Sequence, residues 1–256
     1  MSPLMSTILF LFGAMIGSFA NVCIVRIPAE ESIVLPGSRC PICKQPVRWY
    51  DNIPLVSWII LSGRCRSCRT PISFRYFVVE LLTAVTAVAL YARVGFGIEW
   101  LVLFAFLTAL IIVTFIDLDH RIIPDVISLP GIVVGFVLSL RGEPGPVSSA
   151  IGILAGGGLL LAVAWGYHAW TGRDGMGGGD IKLLGMIGAF LGWKSVPFTM
   201  LLSSLTGSVV GIALMLWTGS DTKYAIPFGP FLALGAVAFI FCGDALIAWY
   251  LGLGSP

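Results

Sequence analysis

The sequence predicts an all-α fold: a polytopic membrane helix bundle of about eight transmembrane helices carrying a small zinc-binding cytoplasmic loop domain. Three observations predict it. Of 256 residues, 57% are hydrophobic and only 11% are charged, and mean hydropathy is +0.97. The apolar residues gather into runs close to the roughly 20 residues that cross a bilayer. One polar stretch, from about Pro28 to Arg75, interrupts those runs and holds four of the six cysteines.

The elements follow in order. The first run, 4–25, has no basic leader and passes into NVCIVRIP without a small-residue cleavage site, so a retained helix is expected over a removable signal peptide. After the polar stretch come runs at 76–93, 98–116, 126–141, 148–169, 180–193, 196–217 and 228–252, the run at 180–193 being short. RGEPGPVS at 141–148 reads as a turn, and no internal repeat or low-complexity tract is evident elsewhere. The expected division is a first transmembrane helix at 1–27, a loop domain at 28–75 and a transmembrane bundle at 76–256.

Orientation follows from the fifteen Lys and Arg, because basic loops stay in the cytoplasm. Placing the polar stretch inside collects Arg26, Arg39, Lys44, Arg48, Arg64, Arg66, Arg69 and Arg75 there, and alternation adds Arg121, Arg173, Lys182 and Lys223. Only Arg93, Arg141 and Lys194 remain for the other face, so both termini are expected outside. The net charge of +2 is this topological bias and gives no sign of nucleic-acid binding.

Within the loop, CPIC (Cys40, Cys43) and CRSC (Cys65, Cys68) stand 21 residues apart. Each pair can grip one ion through a tight turn, and four thiolates close a tetrahedral structural zinc site with no open position for water. The alternatives are unrelated cysteines or two disulfides, which a reducing compartment disfavours. So small a segment often needs a metal to stay folded. Trp49, Tyr50, Ile53, Pro54, Leu55 and Trp58 read either as a membrane-adjacent surface or as packing under the knuckle. Cys23 and Cys242, in apolar runs, read as core residues.

Two carboxylates carry the candidate chemistry. Asp117, in FIDLDHRIIPD, and Asp180, in GMGGGDIKLLG, each sit at the end of an apolar run on the cytoplasmic face, where an ionisable group is costly and a functional role is expected. Asp119 is two residues on and points about 200° away on a helix, so it cannot share a site with Asp117. Asp119, His120 and Arg121 read as a solvated turn. Pro124 favours a helix start, with Asp125 as a capping residue. Gly175, Gly177, Gly178 and Gly179 free the backbone before Asp180 for close approach of an extended peptide; a phosphate cradle is the weaker alternative, because no strand precedes them. Lys182 reads as an anchor or a participant. Glu80, near the start of the second run, reads either as an interfacial residue reaching water or as part of a site facing a basic substrate.

The motifs GSFANVCIVRIP (17–28), the tetracysteine loop, FRYFVVELLTA (74–84), FIDLDHRIIPD (115–125), GMGGGDIKLLG (175–185) and IPFGPFLALGA (226–236) occur in this order along nearly the whole chain. In them the chain resembles the prepilin peptidase family, membrane aspartic proteases of type IV pilus and type II secretion systems. The resemblance implies catalytic aspartates at Asp117, seven residues before Pro124, and at Asp180, which closes the G-x-G-D motif after Gly177, Gly178 and Gly179. It implies an endopeptidase in the bacterial inner membrane that cuts the basic leader from prepilins or pseudopilins at the cytoplasmic face, after a glycine. N-methylation of the new terminus with S-adenosylmethionine is implied as a second activity. Two adjacent carboxylates suit this chemistry: one holds a proton while the other activates water, with no covalent intermediate.

Two rivals remain at this stage. Carboxylates in apolar helices also mark proton-coupled transporters, although those sites usually lie near the bilayer midplane. A non-catalytic assembly protein of the same machinery is the other.

Overall fold

The computed structural model describes residues 2–172, 177–218, 226–250 and 252; Arg173, Gly175 and Lys223 lie outside them. Among the described residues the regular structure is helical, and each of the eight apolar runs is a helix. These are α1 (Pro3–Arg26), α3 (Phe74–Val94), α4 (Ile98–His120), α5 (Asp125–Ser139), α6 (Pro146–Thr171), α7 (Gly178–Leu191), α8 (Ser195–Thr218) and α9 (Gly229–Tyr250). The loop adds a 3-10 turn at Trp49–Asn52 and the short α2 (Val56–Ile60). Five helices, α1, α3, α4, α6 and α8, are long and apolar enough to cross a membrane, whereas α5 and the apolar part of α9 are shorter. The chain is thus a multi-pass membrane protein, with length supporting five of the eight expected spans.

The chain divides into two compact units, Met1–Ile112 and Val113–Pro256. In the first, α1 packs along α3. Lipid is as apolar as leucine, so helices in a bilayer associate through close backbone contact at small residues. Gly13 and Gly17 supply it: a Cβ at Gly13 would lie 2.8 Å from the Ala84 Cα, and one at Gly17 would lie 2.7 Å from the Glu80 Cα. Asn21 Nδ2 donates to the Tyr76 carbonyl at 3.0 Å across the same seam. The first part of α4 joins through Trp100, whose ring stacks on Phe104 with centroids 5.0 Å apart and whose Nε1 donates to the Ala87 carbonyl at 2.9 Å.

The loop between α1 and α3 contains two copies of one small turn. In each, the backbone N–H after the second cysteine donates to the carbonyl of the first: Lys44 to Cys40 and Arg69 to Cys65, both at 3.0 Å. Lys44 and Arg69 share a left-handed φ of 59°. A bridge closes each turn, Arg39 with Pro46 and Arg64 with Pro71. The sequence therefore does contain a repeat, Cys-x-x-Cys-(Lys/Arg)-x-Pro at 40–46 and 65–71. It is too short to stand out until the backbone displays it. From the second copy, Arg66 grips Asp51 at 2.6 Å and lies over the Tyr50 ring, both in the segment between the copies. That guanidinium holds the Asp51 carboxyl below its usual range. Trp58 packs against Phe74 and Phe77 at 5.4 Å each, so this ring packs on α3, while Trp49 is 81% exposed.

In the second unit α7 is the central helix. Leu183 through Ala189 are all buried, and α5 and α6 pack along it. A run buried on every side after a polar first turn belongs inside a bundle. Glycines permit the contact with α6: a Cβ on either Gly152 or Gly188 would run into the other's backbone, and one on Gly156 would lie 2.6 Å from the Leu184 carbonyl oxygen. α8 and α9 pack on each other, with Ser203 Oγ donating to the Phe231 carbonyl at 2.9 Å. Cys23 is buried as expected, but Cys242 is exposed on α9; that helix presents its cysteine outward, which corrects the core reading.

Candidate active site

Asp117 lies in the last turn of α4, which continues four residues past the expected end at 116 to His120. The turn expected at Asp119 and His120 is therefore helical, and only Arg121, at φ 57°, leaves the helix. The consequence for the two aspartates is the one that helical spacing dictates: Asp117 is 5% exposed, while Asp119 lies at the surface. A buried carboxylate needs a donor. Asp117 Oδ2 accepts the Gly229 backbone N–H at 2.9 Å, at the first residue of α9. The free N–H groups of a helix start favour an anion there.

Gly229 is the functional residue that sequence reasoning missed. A Cβ there would lie 2.7 Å from Asp117 Oδ2 and 3.3 Å from Ile123 Cδ1. Only glycine lets α9 begin this close to the carboxylate. The available signal was the Gly-Pro pair in IPFGPF, since proline in a first helical turn marks a start.

Asp180 lies in the first turn of α7, after Gly177, which has extended backbone in the N-cap position. Gly178 is exposed and a Cβ there would meet nothing within 4 Å, while a Cβ on Gly177 would come no closer than 3.7 Å to anything, Asp180 Oδ2 being nearest. Gly179 is different, because a Cβ there would lie 2.8 Å from Ile123 Cβ. Ile123 thus touches Gly179 on one side and Gly229 on the other, and links the starts of α7 and α9. The two carboxylates are near enough to interact electrostatically. Beside them Lys182 Nζ binds both oxygens of Asp125, at 2.7 and 2.8 Å, across α7 and α5. Asp125 follows Pro124, the N-cap residue of α5, whose side chain makes no cap; its carboxylate pairs with Lys182 instead of capping.

Glu80 belongs to the first unit. It is buried, and its Oε2 accepts the Leu55 N–H at 2.7 Å. Leu55 has a φ of 63°, costly for a branched residue, and the bond to Glu80 helps hold it there. In this structure the Glu80 carboxylate ties the loop to α3.

The four loop cysteines are free, and their sulfurs all lie within 4.8 Å of one another, with Cys40 to Cys68 at 3.7 Å and Cys43 to Cys65 at 4.0 Å. An ion about 2.3 Å from each of four tetrahedral sulfurs would set them about 3.8 Å apart. The donor set and its spacing fit a structural metal.

Residues 11–94 match the bacterial peptidase A24 N-terminal domain, and residues 101–212 match the type IV leader peptidase family. Proteins named prepilin leader peptidase/N-methyltransferase are similar over most of the chain. The one from Aeromonas hydrophila is 40% identical, covering 96% of this chain and 93% of its own length. Those from Legionella pneumophila and Pseudomonas aeruginosa are 36% and 35% identical, each covering 94% of this chain and respectively 93% and 91% of their own. No solved structure matches significantly. With relatives this similar across nearly its full length, the chain belongs to the type IV leader peptidase family.

Proposed function

We propose that this chain is a prepilin leader peptidase of the bacterial inner membrane. It removes the basic leader from type IV prepilins or type II secretion pseudopilins at the cytoplasmic face. The observation that carries the reading is that Asp117, held by Gly229 at the start of α9, and Asp180, at the start of α7, lie in one unit near enough to interact, with Ile123 between Gly229 and Gly179. Neighbouring carboxylates do not readily both ionise, so the pair shares a proton. The ionised member takes a proton from water, the water oxygen attacks the carbonyl carbon, and the protonated member donates to the carbonyl oxygen. Collapse of the tetrahedral species breaks the C–N bond, and a proton passes to the leaving amine. The transporter reading has no support from the relatives and needs a relay across the bilayer that two carboxylates at one face do not supply.

In this reading the chain crosses the membrane eight times, the first helix and the seven of the catalytic bundle at 76–256, and 28–75 is a module stapled by zinc on Cys40, Cys43, Cys65 and Cys68. The zinc holds the loop's fold. The relatives are named N-methyltransferases as well, which supports that second activity here, with S-adenosylmethionine as donor. The cavity lined by Met15, Phe19, Val22, Arg26, Ser38 and Asn52 has no acidic side chain to receive a ribose.

The test is cleavage of a purified prepilin in detergent. Asp117→Asn and Asp180→Asn should each reduce cleavage at least about a hundredfold, the low end for a positioned acid–base group, with unchanged protein level. Residual activity above that in either variant overturns the dyad.

A further inference from the structure

The second knuckle carries a feature that neither the metal nor the carboxylates use. Ile60, Leu61, Ser62, Arg64, Arg66 and Arg69 line an open cavity of about 480 Å³. Arg66 is neutralised by Asp51, whereas Arg64 and Arg69 are exposed and have no ion-pair partner among the described residues. Two arginines without a carboxylate partner at one concavity fit an anion, and a guanidinium matches phosphate geometry.

The surroundings indicate which anion. Ile59 and Ile60 are 61% and 71% exposed, on the short helix whose Trp58 packs against α3. The Ile72 N–H donates to the Gly63 carbonyl at 2.7 Å, and Ser73 caps α3, so the cavity sits beside the start of a candidate membrane span. Exposed aliphatics beside a basic pocket at a helix's entry into the bilayer match a lipid with a phosphate head and acyl tails. A soluble anion leaves Ile59 and Ile60 unexplained. The basic leader of the proposed substrate would be repelled here.

We propose that Arg64 and Arg69 bind the phosphate headgroup of an anionic phospholipid in the adjoining leaflet, with Ile59 and Ile60 among its acyl chains. Each arginine near an anionic leaflet is worth roughly a fivefold preference, so the pair should favour anionic over zwitterionic lipid by about 25-fold.

The experiment uses the full chain in lipid nanodiscs of phosphatidylcholine, with or without phosphatidylglycerol, and reads amide hydrogen exchange across 56–69. Exchange should slow at least about fivefold with phosphatidylglycerol. Arg64→Gln with Arg69→Gln should abolish the slowing at unchanged zinc content, and Arg64→Lys with Arg69→Lys should retain most of it. Equal exchange in both discs, or slowing that persists in the glutamine pair, overturns the proposal. Slowing by inorganic phosphate in phosphatidylcholine discs also overturns it, in favour of a free-anion site. Should the glutamine pair lose its metal, the wild-type chain decides: concentrated salt must remove the slowing, and persistence in salt refutes the assignment. None of these readouts depends on cleavage, so failure of the peptidase reading would be seen separately.

Discussion

Asp117 is held by one backbone N–H, and that single bond sets a demand on Gly229. Gly229→Ala places a methyl carbon 2.7 Å from Asp117 Oδ2, closer than the two atoms can sit. Cleavage should fall about as far as in Asp117→Asn, whereas Asp119→Asn, at the surface, should stay within a few-fold of wild type. An active Gly229→Ala enzyme would show that α9 does not position the carboxylate. The Lys182–Asp125 pair calls for a smaller expectation, because its side chains are 37% and 57% exposed. Lys182→Met should cost at most about 1 kcal/mol in thermal unfolding, the ceiling for an exposed pair. Asp117 and Asp180 were legible in the sequence because ionisable residues stand out against apolar runs, and the G-x-G-D and I-P-D motifs distinguish them from Asp119. Gly229 was not, since its role exists only once α4 and α9 meet, 112 residues apart in sequence.

At the scale of elements, the loop and α7 draw their order from different sources. The loop has two isolated bridges, a short helix and the Glu80–Leu55 bond to organise it, so metal binding should carry much of its folding. Purified protein should hold about one zinc per chain by metal analysis. Cys40→Ser with Cys65→Ser, or a strong chelator, should remove it and expose 28–75 to protease. Zinc-free chain with a protease-resistant loop would count against this. α7 relies on glycine contacts, so Gly152→Ala should destabilise the second unit by about 1–3 kcal/mol, as overpacking does, read as a lower melting temperature. The helices were legible as apolar runs, with end errors of a few residues where α4 ran on through Asp119 and His120. The knuckle repeat is written in the sequence but is too short to stand out, and the Asp125–Lys182 pair is a fact of tertiary proximity that spacing does not encode.

For the whole molecule, the positive-inside bias is the quantity to test. Alkaline phosphatase fused after Glu143 should be active and a fluorescent protein fused there dark, with the reverse after Arg121. Matching signals at the two sites would undo the topology and with it the cytoplasmic placement of both carboxylates. Hydropathy showed that the chain lives in a membrane, yet it could not say which helices cross it. α7 is apolar because protein surrounds it, and a run of that composition reads the same in lipid. The closeness of that surround also has a consequence in time. A helix wedged backbone to backbone against α6 has little room to slide or turn, so Asp180 is expected to keep its station through turnover. Cleavage should then begin without a lag on mixing, and the slow events of the cycle should be the arrival of the substrate helix through the lipid and its departure.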